Sequence, residues 1–173
     1  MRKIFVLFTF LLLSIGSWAQ KTHDMSHEGS SGDVFVGYSL LNGDTLSHGS
    51  GWEAALTGNL NDWFGLKADL GGNYKSFGGG SAREYNILFG PQLSHPVDKF
   101  TVFVHGLLGV AHASVDGGPS STGAGWVIGG GADYNLNSSF AIRPVQLDYH
   151  GAHVFGTNQK DARYSVGLVY RFK

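Results

Sequence analysis

The stretch RYSVGLVYRF, residues 163–172, decides the fold. Tyr164, Val166, Leu168, Tyr170 and Phe172 alternate with Ser165, Gly167, Val169 and Arg171. A period of two is the mark of a β-strand with one apolar face and one face of small or polar groups. Here the apolar face carries no charge and has aromatic rings towards both ends. A strand of about ten residues tilted by about 45° crosses the hydrocarbon core of a bilayer.

The same alternation recurs through the preceding chain. It predicts strands over Asp33–Leu40, Gly51–Leu60, Trp63–Tyr74, Arg83–Leu93, Phe100–Ala113, Ala124–Leu136 and Ser139–Tyr149, with Arg163–Phe172 as the eighth. Three connections read as tight: Asn61-Asp62, Ser94 to Lys99, and Asn137-Ser138. Four read as longer and mostly Gly/Ser-rich: Leu41–Ser50, Lys75–Ala82, Ser114–Gly123 and His150–Ala162. Short turns at one end and longer loops at the other are what a transmembrane β-barrel shows, with the short turns in the periplasm. The expected fold is therefore all-β, an eight-stranded antiparallel up-and-down transmembrane β-barrel.

The two faces of the strands fix which side is inside. The face opposite the large apolar residues is rich in Gly, Asn, Thr and Ser. It carries charges of both signs: Glu53, Lys67, Asp69, Glu84, Asp133, Arg143 and Arg171. A soluble barrel would turn its apolar face inward and carry many more charges on its wet face. An eight-stranded barrel has just room to fill its bore with side chains, and a mixed-sign set can pair there. These seven residues are the expected structural interior charges. The outward aromatics form two groups. Trp63, Phe64, Phe100, Tyr134, Phe140, Tyr170 and Phe172 fall near the short turns; Tyr38, Trp52, Tyr74, Trp126, Tyr149 and Tyr164 fall near the long connections. Two girdles are expected where a barrel meets its two lipid–water interfaces. The seventh strand breaks parity, because Phe140 and Ile142 facing out would put Gln146 and Asp148 in lipid. A one-residue bulge at Pro144-Val145 returns both to the interior.

The start of the chain sets the compartment. Arg2 and Lys3 precede an apolar run, Ile4 to Ile15, and Ser17-Trp18-Ala19 offers small residues at the cleavage positions. This predicts a secretory signal peptide, residues 1–19, cut after Ala19. Residues 20–32 read as a flexible polar leader in the periplasm, and 33–173 as the barrel. Removing Arg2 and Lys3 tips 12 basic against 13 acidic residues further towards acid, which is no footprint for nucleic acid. There is no cysteine, so disulfides do not hold this exported chain. Gly is 27 of 173 residues and charged residues are only 14%, a balance that suits lipid-facing strands around a close-packed bore.

The signal, the eight strands and the ending Gly167-Leu168-Val169-Tyr170-Arg171-Phe172 resemble the outer-membrane β-barrel domain family. That family includes the transmembrane domain of outer-membrane protein A and its small relatives. The resemblance runs from about Asp33 to Phe172. Members commonly end in Phe with another aromatic two residues earlier, the signal read by the barrel-assembly machinery; Tyr170 and Phe172 match it, and Lys173 adds one residue beyond. The resemblance implies outer-membrane location, contact with outer-membrane lipid and lipopolysaccharide, the assembly machinery as a partner during insertion, and a monomer. It implies a scaffold rather than one activity. The expected function is non-enzymatic, structural or surface-interacting through four outer loops, with a small passive pore as one alternative.

A second alternative is enzymatic. His112 and Ser114 resemble the His-x-Ser spacing of lipid A deacylases, which act as lipid hydrolases from a similar barrel. No Asn follows the Ser here, and no acid is placed by sequence to orient the His; a triad needs geometry, not spacing alone. Histidines raise the question of metal. His23, Met25 and His27 with Asp24 and Glu28 lie in the leader, and His48, His112, His150 and His153 fall at or near the long connections. Such clusters in polar segments are usually solvated, and no metal or cofactor is expected. Gly78-Gly79-Gly80 precedes no helix, so it is loop chemistry and not a phosphate cradle.

Overall fold

The computed structural model describes residues 31–44, 48–78 and 80–172. The expected signal peptide, nearly all of the leader and Lys173 lie outside the described residues. Eight strands follow in order: β1 (Gly32–Gly43), β2 (Gly49–Asn59), β3 (Phe64–Phe77), β4 (Gly80–Val97), β5 (Phe100–Val115), β6 (Ser120–Asn135), β7 (Phe140–Val154) and β8 (Thr157–Phe172). Each pairs antiparallel with the next, and β8 pairs with β1 to close a barrel. Closure leaves no open strand edge to face lipid.

The strands are staggered. Directly opposed residues run from Val34 through Leu56, Ala68, Phe89, Leu108, Trp126 and Gly151 to Lys160. The path then meets β1 beside Asp44, whose amide donates to the Lys160 carbonyl at 3.1 Å. It has climbed the barrel instead of returning to Val34. That shear tilts the strands against the axis.

Side-chain parity follows the alternation read from sequence. Val36, Leu56, Ile87, Phe89, Leu108, Ile128, Tyr164 and Leu168 are exposed on the outer face, while Phe35, Leu88, Leu107, Val127 and Val169 are buried in the bore. The bulge lies where parity demands it. Ala132 opposes Val145 while Tyr134 opposes Ile142, and Arg143 opposes Gly167 while Gln146 opposes Ser165. One extra residue in β7 thus returns Gln146 and Asp148 to the interior, both buried.

The four long outer loops are corrected. The strands run into them, leaving residues 44–48, 78–79, 116–119 and 155–156 as the outer connections. Segment 150–162 is mostly the ends of β7 and β8, which meet at Phe155-Gly156, both with positive φ (53° and 71°). On the other side, Ser94–Lys99 shrinks to Asp98-Lys99, with Asp98 at φ 53°. The physical reason is the solvent. Above the lipid the outward face meets water, so polar residues replace apolar ones there. Alternation of polar with small residues carries no hydrophobic period, and a strand then looks like a loop.

Aromatic rings cover glycines on the outer face. Trp52 stands opposite Gly72, Trp126 opposite Gly151, and Phe172 opposite Gly32. A Cβ at any of the three would strike that ring. Other outward rings pack in pairs: Phe100 with Tyr134 at 5.3 Å and Phe140 with Tyr170 at 5.2 Å towards the short turns, and Tyr74 with Tyr85 at 5.8 Å and Trp126 with Tyr149 at 5.6 Å towards the outer end. Gly151→Val should push Trp126 off the barrel wall and destabilise it by about 1–3 kcal/mol. Urea unfolding in micelles, followed by tryptophan fluorescence, measures the loss; an unchanged midpoint would show that the ring is free to move aside.

Candidate functional site

Among the described residues, buried charged and polar side chains gather in the bore, which is built in layers. Residues 143, 146, 148, 150, 152 and 154 of β7 climb from the periplasmic to the outer end, and residues 171 to 161 of β8 climb beside them. At the bottom, Arg171 donates from Nη1 to Asn135 Oδ1 at 2.7 Å, and its Nη2 lies 3.7 Å from Asp133 Oδ2. Its side chain keeps 16% exposure at the barrel mouth.

Above it sits Arg143. Its Nε donates to Asp133 Oδ1 at 2.7 Å and its Nη2 to Asp133 Oδ2 at 3.1 Å, a forked pair. Such bidentate geometry is stronger and more directional than a single contact. Nη1 donates to Gln146 Oε1 at 2.7 Å. The guanidinium is held between two aromatic faces, 4.3 Å from the Phe35 centroid and 4.2 Å from that of Phe103. Both rings are buried, so this cation–π sandwich works in a dry setting where it is strongest.

Gln146 links this layer to the next, donating from Nε2 to Glu53 Oε1 and to Asp148 Oδ2, each at 2.7 Å. The central layer is organised by Arg163. Nη1 and Nη2 donate to Asp69 Oδ1 and Oδ2 at 3.0 and 3.2 Å; Nε and Nη2 donate to Asp148 Oδ2 at 3.0 and 2.7 Å. Nε also lies 3.5 Å from Glu53 Oε2, which accepts from the Ser165 hydroxyl. Lys67 Nζ stands 3.5 Å from Asp69 and 3.7 Å from Glu53. His105 Nε2 is 3.0 Å from Asp148 Oδ1, and its ring stacks on Phe103. Strands β2, β3, β5, β7 and β8 thus converge on the axis, which a bore this narrow permits.

Higher still, His150 Nδ1 faces Glu84 Oε1 at 3.4 Å. Ser39 donates to Asn73 Oδ1 at 2.9 Å. Towards the outer end, Ala111 and Ala113 of β5 and Ala152 and Val154 of β7 form a buried apolar cluster.

The sequence-derived interior residues stand as follows. Glu53, Lys67, Asp69, Glu84, Asp133 and Arg143 are buried in the bore, and Arg171 is half-buried at its lower mouth. The residue that ties the most strands together, Arg163, is absent from that set, although parity with Ser165 marks it as inward. Phe35 and His105 carry the same signal on their strands, whereas Asp161 lies on the part of β8 that reads as a connection. His150 needed the longer β7 to be seen as part of the bore rather than a loop.

The other candidates disperse. The His112 ring bonds through Nδ1 to Thr122 Oγ1 at 2.7 Å, not to Ser114. His153 Nδ1 lies 2.8 Å from Asn158 Oδ1, and His150 is inside the bore. Among the described residues no group of three or more His, Asp or Glu side chains is placed to hold a metal ion. The leader cluster His23, Asp24, Met25, His27 and Glu28 lies outside the described residues. Tyr170 and Phe172 are on the outer face of β8, paired with Phe140 and covering Gly32 respectively.

A family model described as outer membrane protein beta-barrel domain matches residues 6–172. Among solved structures, the chain is similar to Neisserial surface protein A at 17% identity, covering 83% of this chain and 98% of that one with a TM-score of 0.72. It is similar to Ail, the attachment invasion locus protein of Yersinia pestis, at 19% identity, covering 83% and 99% with a TM-score of 0.60. Ail is also known in complex with the heparin analogue sucrose octasulfate. The outer membrane protein OprG from Pseudomonas aeruginosa is similar at 13% identity, covering 83% and 97% with a TM-score of 0.53. At these identities the likeness is one of fold. No curated protein sequence matches the chain.

Breaking a buried pair leaves its partner uncompensated, at a cost of about 3–5 kcal/mol. Arg163→Ala should therefore unfold at markedly lower urea than the parent, and Arg143→Ala likewise. Asp44→Asn, at the exposed outer rim where Asp44 accepts from the Lys160 amide, should match the parent. Heat-modifiable mobility on gels reads all three; bore variants as heat-resistant as the parent would show that the layers are not what holds the barrel.

Proposed function

The chain belongs to the outer membrane protein β-barrel domain family, and from that premise we propose that it is a non-enzymatic surface protein whose bore is a closed structural plug. The observation that carries this reading is the Arg163 layer, where one guanidinium binds Asp69 across the axis and Asp148 on the neighbouring strand, with no exposure of any of the three side chains. A conduit would need those pairs to part. The plug is what Glu53, Lys67, Asp69, Glu84, Asp133, Arg143 and Arg171 contribute, together with Arg163.

The outer rim is where such a protein meets its surroundings. Its connections are short, so contact is made by the strand ends themselves: Phe77 and Phe155 are exposed beside Lys75, Arg83, Asp116, His153, Asn158 and Lys160. Arg83 pairs with Asp116 at 3.3 Å, which leaves the rim mixed in sign. This supports a role in surface interaction or in stiffening the membrane, with lipid and lipopolysaccharide as the immediate neighbours. The sulfated ligand of Ail suggests a glycan as one class to try. The protein acts as a monomer in this reading, and Tyr170 and Phe172 present the terminal strand to the barrel-assembly machinery during insertion.

Planar-bilayer recording tests the plug: small, infrequent openings are expected, and steady large conductance would favour a hydrated pore. Mass spectrometry of membrane lipid from cells with and without the gene should give identical acyl patterns; a lost acyl chain would restore the hydrolase reading. Phe172→Ala, which uncovers Gly32 and removes the terminal aromatic, should lower membrane levels when assembly machinery is depleted. Levels equal to the parent under that depletion would remove Phe172 from the signal.

A further inference from the structure

The outer rim is not uniform. Asp44, Lys75, Arg83 and Asp116 stand at or just beyond the ends of β1, β3, β4 and β5. Residues 117–132 and 149–159, which include the outer ends of β6, β7 and β8, contain no Asp, Glu, Lys or Arg. Lys160 marks the border with β1, where its carbonyl accepts from the Asp44 amide and its amide donates to the Asp44 carboxylate. Within the uncharged sector Phe155 is 41% exposed at the β7–β8 tip. Val154 pairs with Thr157, so the connection is Phe155-Gly156 alone, and both have positive φ, 53° and 71°. That is the pattern of a type I′ turn, whose first central position favours Asn, Asp or Gly. A bulky side chain in the left-handed region is an outlier, and such strain persists only where the surroundings enforce it. Here the Phe155 amide donates to the Ser121 hydroxyl of β6 at 2.8 Å, and the Thr157 hydroxyl donates to the Val154 carbonyl at 3.3 Å.

Neither burial nor lipid accounts for phenylalanine at this place. The residue is open to water, and it lies six positions beyond Tyr149 of the outer girdle, about 20 Å along a strand that rises roughly 3.3 Å per residue. Its neighbours are neutral, and their hydrogen bonds fix what they offer. Asn158 Oδ1 accepts from His153 Nδ1 at 2.8 Å, so the imidazole proton sits on Nδ1 and Nε2 keeps its lone pair. The Asn158 amide nitrogen remains a donor. Gln159 donates from Nε2 to Thr157 Oγ1 at 2.8 Å, and its carbonyl oxygen remains an acceptor. An exposed apolar ring flanked by uncharged donors and acceptors matches a ligand that carries C–H faces and hydroxyl groups together. A pyranose sugar is such a ligand: its C–H face lies on an aromatic ring, and each hydroxyl both donates and accepts. A sulfate or carboxylate would meet Lys160 as its nearest cation in sequence, with Asp44 beside it. The fastened tip also loses little freedom when it binds.

Resting on the reading of this chain as a surface-interaction protein, we propose that the β7–β8 tip binds a neutral glycan. Phe155 is the stacking platform, and His153, Asn158 and Gln159 supply the hydrogen bonds. The strained turn is kept because it holds that ring in the open.

The full chain in lipid nanodiscs is screened on an array of neutral, sialylated and sulfated oligosaccharides that includes the oligosaccharide released from the cell's own lipopolysaccharide. Neutral members should bind and heparin should not. Binding of the cell's own oligosaccharide would place the ligand in the same membrane; binding of other neutral members alone would place it outside the cell. Phe155→Ala should weaken the tightest neutral member by about tenfold or more. Phe155→Asn, which gives the turn the residue it favours, should weaken it equally while raising the thermal midpoint by about 2–4 °C. No neutral member bound, affinity unchanged in Phe155→Asn, or a lowered midpoint in that variant would each overturn the proposal; the last would mean that the ring is structural. Binding confined to sulfated glycans or to proteins would remove the neutral-glycan site and leave the surface role standing. That role would itself fall if cells lacking the gene adhered as well as the parent to every surface the parent binds.

Discussion

Hydrocarbon offers nothing to a peptide N–H or C=O, and the rest of this structure follows from that constraint. Eight strands closed on themselves satisfy it without an edge. Closure at this strand number sets a bore too narrow for bulk water and too wide to leave empty. Most large apolar residues are taken by the lipid face, so the bore is filled by glycine, small polar groups and charges packed around a few apolar side chains such as Phe35, Leu88 and Phe103. Those charges then have to satisfy one another. The forked contacts of Arg143 with Asp133 and of Arg163 with Asp69 are therefore a consequence of closure as much as a source of stability.

The ion-pair layers also divide the labour along the axis. Arg143, clamped between Phe35 and Phe103, couples charge to the small apolar cluster of Phe35, Ala55, Ala141 and Val169. Gln146 is the joint between that level and the next, because its amide accepts from an arginine below and donates to two carboxylates above. The bulge in β7 exists to put Gln146 there. Without the extra residue at Pro144-Val145, the amide and Asp148 would face lipid and the two arginine layers would be disconnected.

Much of this was legible in the sequence, and the reasons differ by residue. Tyr164, Leu168 and Phe172 declare their face because lipid demands a large apolar side chain at each outward position. Glu53, Lys67 and Asp69 declare theirs because a charge at the alternate position has nowhere else to go. The bulge is legible because Pro144 coincides with a break in parity. The outer strand ends were not, since Thr157–Ala162 alternates polar with polar once the outer face meets water. That misreading hid His150 and Asp161, which lie on those ends. Arg163 was hidden differently: it opens the predicted strand, where parity has no preceding residue to anchor it. Pairing across the axis is beyond any local pattern. Asp69 and Arg163 are 94 positions apart, and only closure brings them together.

The shortness of the outer connections changes what the cell surface is offered. A barrel with long loops displays peptides, which a protease can cut and which keep their shape or lack of it after the protein unfolds. Here Phe77, Arg83, His153 and Lys160 are drawn from four strands whose spacing exists only while the barrel is closed. Whatever recognises this rim recognises a rigid mosaic, losing little conformational freedom on contact. An antibody raised against it would be blind to the boiled protein, and a short synthetic peptide from any one connection would make a poor mimic.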